Sequence, residues 1–289
     1  MQLLGCRVTN NSTLVCVLIV GNSEPMSSIV LKSIRENSSA PILIGFIKLS
    51  DVSNLAVPED TIFYDLSAEL ELADKAYRAF NDPIFFQIVR LKWDLISYAM
   101  TLGYESVIYT DLDVIWLRNA TESIERTFTT FFNPKVLIQS FTRGTELPCL
   151  CMGFMALKVE QQTQEFIDLC RTTHRDLAQT NSMLGDDDVV SQVFRDMDYP
   201  GWIRELPQST FPTGNIYPLY IRHFRFRKME RVRPYVLHLN YVVGIESKLL
   251  LLIYLKYLTT IKLDHISSKT QLKIFARVLK KKALSVKKR

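Results

Sequence analysis

Ser106-Val-Ile-Tyr-Thr110-Asp111-Leu112-Asp113 carries a run of strand-forming residues straight into two carboxylates one residue apart. Continuous apolar runs of this length suit a strand buried on both faces, as in a parallel sheet. In open parallel sheets, ligands bind beyond the carboxyl ends of the strands. Asp111 and Asp113 therefore stand where a ligand is expected. On an extended chain, side chains two apart share one side, so both carboxylates are expected to serve one ligand. Hard oxygen donors of this kind suit Mg²⁺ or Mn²⁺, which bridge to phosphates. Two acids at the end of a buried strand also need a counter-charge.

Outward from this strand the chain alternates. Residues 13–20 form an apolar run that ends in the turn cluster Gly21-Asn22-Ser23. Residues 41–47, 61–66, 136–141, 152–158 and 235–239 read as further strands. Residues 26–37, 70–80, 83–102, 160–179 and 187–197 read as helices, with Gly103 closing the long one as a C-cap. This alternation predicts an α/β, Rossmann-like single domain with a mostly parallel central sheet and helices on both faces.

Composition is compatible with that fold. The chain has 289 residues, 47% of them apolar and 22% charged, which excludes disorder and low-complexity classes for its bulk. Five scattered cysteines are odd in number and make no disulfide framework. Cys149 and Cys151 are too close for half of a usual zinc site and read as core thiols. The net charge of +5 is uneven: residues 262–289 hold ten Lys or Arg and one acid, and residues 1–261 are net −4. The expected organisation is a catalytic domain over 1–261 and a basic, amphipathic tail over 262–289. By charge, the main body is not a nucleic-acid surface.

A second constellation lies near the end, in Pro234-Tyr-Val-Leu-His238-Leu-Asn240-Tyr241-Val-Val-Gly244-Ile-Glu-Ser-Lys248. His238 is a good third metal ligand beside two carboxylates. Gly244 lets backbone approach a phosphate, and Lys248 supplies compact positive charge. An Asp-x-Asp after a strand fits two chemistries. One is the haloacid-dehalogenase-like phosphatase, in which the first Asp is a nucleophile. The other is the sugar-nucleotide transferase, in which the pair holds the metal that carries the diphosphate. The late His, Gly and Lys favour the second. The phosphatase, and a non-catalytic sugar-nucleotide-binding protein, are the alternatives.

From about residue 14 to 257 the chain resembles the nucleotide-diphospho-sugar transferases of glycosyltransferase family 77, which have the GT-A fold. The resemblance is carried, in order, by Leu91-Lys92-Trp93, Leu102-Gly103-Tyr104, Val107 to Asn119, Met152-Gly153-Phe154-Met155, Phe211-Pro212-Thr213-Gly214 and His238-x-Asn240-Tyr241-x-x-Gly244-x-x-x-Lys248. It implies that Asp111 and Asp113 bind the metal, with His238 completing the site and Leu112 in the donor-binding stretch. Gly244 and Lys248 would meet the diphosphate, and Lys92 would touch the donor. Val20, Gly21 and Asn22 would hold the uracil and ribose. Trp116 is expected to pack the strand rather than touch sugar. The implied reaction moves a sugar from a UDP-sugar to a glycan, glycolipid or protein-linked hydroxyl, with Mn²⁺ or Mg²⁺ and with retention of anomeric configuration. Asp187 and Asp188 would lie on the sugar side as nucleophile or electrostatic stabiliser. Two positions depart from the family: Cys151 stands where members show Asn, and Asp187-Asp188 followed by Gln192 stands where they show Asp-Gln and then Asn.

Neither 14–20 nor 249–255 is long enough to span a bilayer, and no leader precedes the first run. The expected location is cytoplasmic, with peripheral contact to an anionic membrane through the tail, where Leu272, Phe275, Ala276, Leu279 and Ala283 share one helical face.

Overall fold

The computed structural model describes residues 12–21, 26–47, 57, 60–69, 83–141, 149–214, 234–240 and 245–258. Their central feature is a seven-stranded sheet in the order β3-β2-β1-β4-β7-β6-β8. Its strands are β1 (Thr13–Val20), β2 (Ile42–Ile47), β3 (Ile62–Asp65), β4 (Ser106–Thr110), β6 (Val136–Phe141), β7 (Cys149–Lys158) and β8 (Ile203–Glu205). β7 is antiparallel to both of its neighbours, and the other pairings are parallel. The mostly parallel sheet is therefore as expected, with one reversed strand in its middle. A separate pair, β5 (Val114–Trp116) and β9 (Val236–His238), is antiparallel.

Helices cover both faces because the strand residues alternate between two cores. Val15, Val17 and Ile19 face α1 (Met26–Asn37), α3 (Ala120–Phe128), the β5–β9 pair and α6 (Ile245–Leu258). Leu14, Cys16 and Leu18 face α2 (Pro83–Met100), α4 (Gln161–Ala178) and α5 (Asp186–Asp196). The period of two thus feeds two layers from one strand. Gly103, at φ +84°, turns the chain after α2.

Four elements went unseen in the sequence: β5, β8, α3 and α6. Two are three-residue strands, too short for a period to show. α3 is announced only by Asn119, whose side chain accepts the backbone N–H of Glu122 at 3.1 Å as an N-cap. The apolar run 249–255 belongs to α6, with Leu249 and Leu252 buried in the core. No helix among the described residues is long and apolar enough to cross a membrane. The helix expected over 70–80 and the tail over 262–289 lie outside the described residues.

Trp116 is buried, with its ring centroid 5.8 Å from that of Phe154, and ties the small β5–β9 pair to the main sheet. Trp116→Ala is expected to lower unfolding free energy by ~3–5 kcal/mol. Phe131→Ser, at a fully exposed site, should change it by less than ~0.5 kcal/mol. Urea titration of both variants measures the contrast.

Candidate active site

Asp111 and Asp113 sit at the C-terminal end of β4, where the chain leaves one sheet for the other. The backbone N–H of Asp111 donates to the Gly153 carbonyl at 2.8 Å, which extends the β4–β7 ladder by one step. The Asp113 carbonyl accepts from Leu239 N–H at 2.8 Å, which extends β5–β9. Between these anchors the chain turns, with Val114 N–H bonded back to the Asp111 carbonyl at 3.1 Å. The extended geometry expected for 111–113 is thus replaced by a turn, because the chain must cross between sheets. The carboxylates converge all the same. One ligand atom from each of Asp111, Asp113 and His238 lies within 4.8 Å of the other two.

Each carboxylate has its own cation. Lys92, buried on α2, lies 2.8 Å from Asp111 and 2.6 Å from Asp186. Burial opposes its charge, but Asp111 and Asp186 outweigh burial and hold the ammonium well above its ordinary range. Tyr109 donates to Asp111 at 2.7 Å; burial and then that anion push its phenol well above the usual value, so it stays a donor. On the other side, Lys248 of α6 donates to Asp113 Oδ2 at 2.5 Å. Burial alone would raise Asp113, but the adjacent ammonium of Lys248 holds its carboxyl well below the usual range. Its second oxygen, Oδ1, is buried with no hydrogen bond among the described residues, although His238 Nε2 is only 3.2 Å away. An orphaned carboxylate oxygen facing an imidazole nitrogen, with a second carboxylate alongside, is a donor set that fits a divalent cation. The imidazole favours Mn²⁺ over Mg²⁺.

The imidazole is packed from several sides. A Cβ on Gly153 would stand 1.9 Å from His238 Cε1, so β7 must carry glycine where the ring crosses it. His238 Nδ1 meets Gln139 Oε1 at 2.9 Å and Cys151 Sγ at 3.7 Å. Asn240 Nδ2 donates to Cys151 Sγ at 3.5 Å. The Asn240 side-chain oxygen accepts the backbone N–H of Gly214, and Gln139 Nε2 donates to the carbonyls of Phe211 and Pro212, each at 3.2 Å. The separate sequence pieces 139, 151–153, 211–214 and 238–240 are therefore one interlocked cluster. Burial pushes the Cys151 thiol well up, so it stays protonated. The four described cysteines are free; of the two read as core thiols, Cys151 is buried and Cys149 half-buried.

The remaining candidates divide. Val20 and Gly21 end β1, parallel and adjacent to β4, so they share the sheet edge that carries Asp111. Leu112 is partly buried against the core. Trp116 packs as expected. Asp187 Oδ1 accepts Met152 N–H at 2.6 Å. Burial, then the adjacent Asp186, push the Asp187 carboxyl up to about 7. Asp188 is exposed and accepts Gly185 N–H at 3.3 Å, a contact local to the start of α5. Asn22 and Gly244 lie outside the described residues. The sequence reading missed two members. Asp186, one residue before the helix expected over 187–197, was not among the candidates, and Gln139 sits in an apolar strand with no local signal.

The nucleotide-diphospho-sugar transferase family matches residues 58–252, about two thirds of the chain. The chain belongs to this family. Among its relatives in Arabidopsis thaliana is UDP-D-xylose:L-fucose alpha-1,3-D-xylosyltransferase 3, 23% identical over 193 residues, or 59% of this chain and 46% of the relative. Another is UDP-D-xylose:L-fucose alpha-1,3-D-xylosyltransferase MGP4, 23% identical over 184 residues, or 59% of this chain and 49% of the relative. The chain spans about half the length of these relatives. Mouse xyloside xylosyltransferase 1 is similar in structure, with a TM-score of 0.49, 13% identity, and coverage of 79% of this chain and 98% of that one. The glycosyltransferase GlyE of Streptococcus pneumoniae shows a TM-score of 0.49, 14% identity, and coverage of 80% and 55%. Family membership removes the phosphatase as a competing reading.

Two outcomes test this geometry in the transferase. Gly153→Ala is expected to expel the His238 ring and to destabilise the fold by ~1–3 kcal/mol, measured by urea unfolding. For Asp187, the raised folded value means the native state binds its proton more tightly than the unfolded chain does. That stabilisation is complete below about pH 4 and is lost as pH rises through about 7. Asp187→Asn should therefore match the parent in thermal unfolding near pH 4 and exceed it at pH 8.

Proposed function

We propose that the protein is a metal-dependent glycosyltransferase that moves a sugar from a UDP-sugar to a hydroxyl on a glycan, glycolipid or protein-linked glycan, with retention of configuration. The observation that carries this reading is the convergence of Asp111, Asp113 and His238 around the orphaned Asp113 oxygen, at the edge of the sheet where ligands bind. UDP-xylose is the first donor to consider, because the named plant relatives are UDP-D-xylose enzymes.

Asp111, Asp113 and His238 hold the cation, Mn²⁺ before Mg²⁺. When bound, it supplies Lewis-acid neutralisation of the departing diphosphate. Lys248 holds Asp113 through Oδ2, and a cation at Oδ1 would draw negative charge from the same carboxylate, which frees the ammonium to turn to the diphosphate. Lys92 stays clamped between Asp111 and Asp186, so it acts on the donor through Asp111 and less by direct touch. Val20, Gly21, Asn22 and Leu112 line the uridine side, and Gly244 the phosphate turn. Of the two acids proposed for the sugar side, Asp187 is favoured: it sits against β7 beside Cys151, whereas Asp188 is exposed and held by its own helix start. Asp187 there acts as nucleophile or as electrostatic stabiliser of an oxocarbenium-like state.

The catalytic unit is 1–261. The tail over 262–289, net +9 by composition, is proposed to make peripheral contact with an anionic membrane that presents the acceptor, with the enzyme on the cytoplasmic side.

UDP release from UDP-xylose, UDP-galactose, UDP-glucose, UDP-arabinose and UDP-N-acetylglucosamine, with Mn²⁺ and with EDTA, tests the reading. Slow hydrolysis of one donor is expected, lost with EDTA and reduced at least ~100-fold in Asp113→Asn. Donor turnover that survives EDTA and Asp113→Asn would overturn the metal role. Calorimetry in which UDP fails to bind in the presence of Mn²⁺ would sink the donor assignment itself.

A further inference from the structure

We infer that Gln139 is a positioning residue that sets the tautomer of His238, keeping the Nε2 lone pair aimed at Asp113 and the cation site. The inference rests on the metal-dependent reading for its purpose, but its geometry stands alone. Gln139 is completely buried in β6. Its Nε2 group spends both hydrogens, on the carbonyls of Phe211 and Pro212, each at 3.2 Å. A flipped amide would set its oxygen against two carbonyl oxygens in a dry interior, so the orientation is decided by its partners. Oε1 therefore faces His238 Nδ1 at 2.9 Å. Oε1 can only accept, so Nδ1 must carry the proton.

The other neighbours agree. Cys151 Sγ, 3.7 Å from Nδ1, accepts from Asn240 and is a much weaker partner than the amide oxygen. A Cys151 S–H aimed at Nδ1 would need that nitrogen bare, leaving its lone pair against Gln139 Oε1. With the single proton of a neutral imidazole on Nδ1, Nε2 has a lone pair and no hydrogen. It lies 3.2 Å from Asp113 Oδ1, yet that oxygen receives no hydrogen bond among the described residues. Gln139 thus holds the proton on the far side of the ring and leaves Nε2 bare beside Asp113 Oδ1, so that a cation bound there would meet two acceptors. This is the outer partner that metal-ligating histidines use to fix tautomer and ring orientation, here an amide in place of a carboxylate or a backbone carbonyl.

The ¹⁵N spectrum of full-length, metal-free protein labelled at histidine, at pH 8.5, reports the His238 tautomer directly. The Nδ1–H form is expected in the parent. In Gln139→Met, which keeps shape and removes the acceptor, the proton should move to Nε2. Mn²⁺ binding, followed by electron paramagnetic resonance, should weaken about 10–100-fold in Gln139→Met. An Nε2–H form in the parent would overturn the inference, as would parent-like Mn²⁺ affinity in Gln139→Met. If Gln139→Met does not fold, the parent spectrum alone still decides. An Nδ1–H parent that binds no Mn²⁺, with or without UDP, would leave the tautomer assignment standing and defeat the metal-dependent reading.

Discussion

The site depends on keeping negative charge where the fold would otherwise expel it. Asp111, Asp113 and Asp186 bring three formal negative charges to one enclosed edge of the sheet, and Lys92 and Lys248 bring two positive ones. Removing one partner of a buried pair leaves an uncompensated charge, commonly at a cost of ~3–5 kcal/mol. The lysines are therefore structural in the metal-free protein, whatever else they do. The balance is one net negative charge, and Asp113 Oδ1 is the carboxylate oxygen there with no hydrogen bond among the described residues. Under the proposed metal-dependent reading, a divalent cation there would offset that charge.

The second constraint is geometric. Asp113 and His238 approach because β5 and β9 pair apart from the main sheet, with Val114 opposite His238 in the register. Asp111 is pinned to β7 and Asp113 to β9, so the turn between them joins the two sheets. The same crossing needs glycine at position 153, since the imidazole lies on the β7 backbone. Chemistry in this protein is thus placed by strand pairing rather than by flexible loops, which holds ligand atoms to narrow tolerances.

Legibility in the sequence followed the range of the signal. β4 and its two acids were plain, because a buried strand and a charged end sit side by side in the chain. Long amphipathic helices such as α2 and α4 were equally plain from their period. β5, β8 and α3 were not, since three-residue strands have no period and a short helix shows only its cap. His238 and Lys248 were visible as residue types at a telling spacing. Gln139 was invisible, because its role arises from the carbonyls of Phe211 and Pro212, about seventy residues away. Asp186 was not singled out, because acids at a helix start favour the helix dipole without further cause. Its bond to Lys92, ninety-four positions back, supplies one.

The two lysines differ in a way that assigns them different work. Lys92 is buried and bonded to two carboxylates on separate elements, so withdrawing it would strand both. Lys248 is less buried and is bonded to Asp113. Under the proposed metal-dependent reading, a cation on the Oδ1 side of Asp113 would weaken the Lys248 bond to Oδ2 by drawing charge from the same carboxylate, while Lys92 stays divided between Asp111 and Asp186. An ammonium loosened in this way would be available to a diphosphate, and linkage would then require metal and diphosphate to favour each other by the same factor.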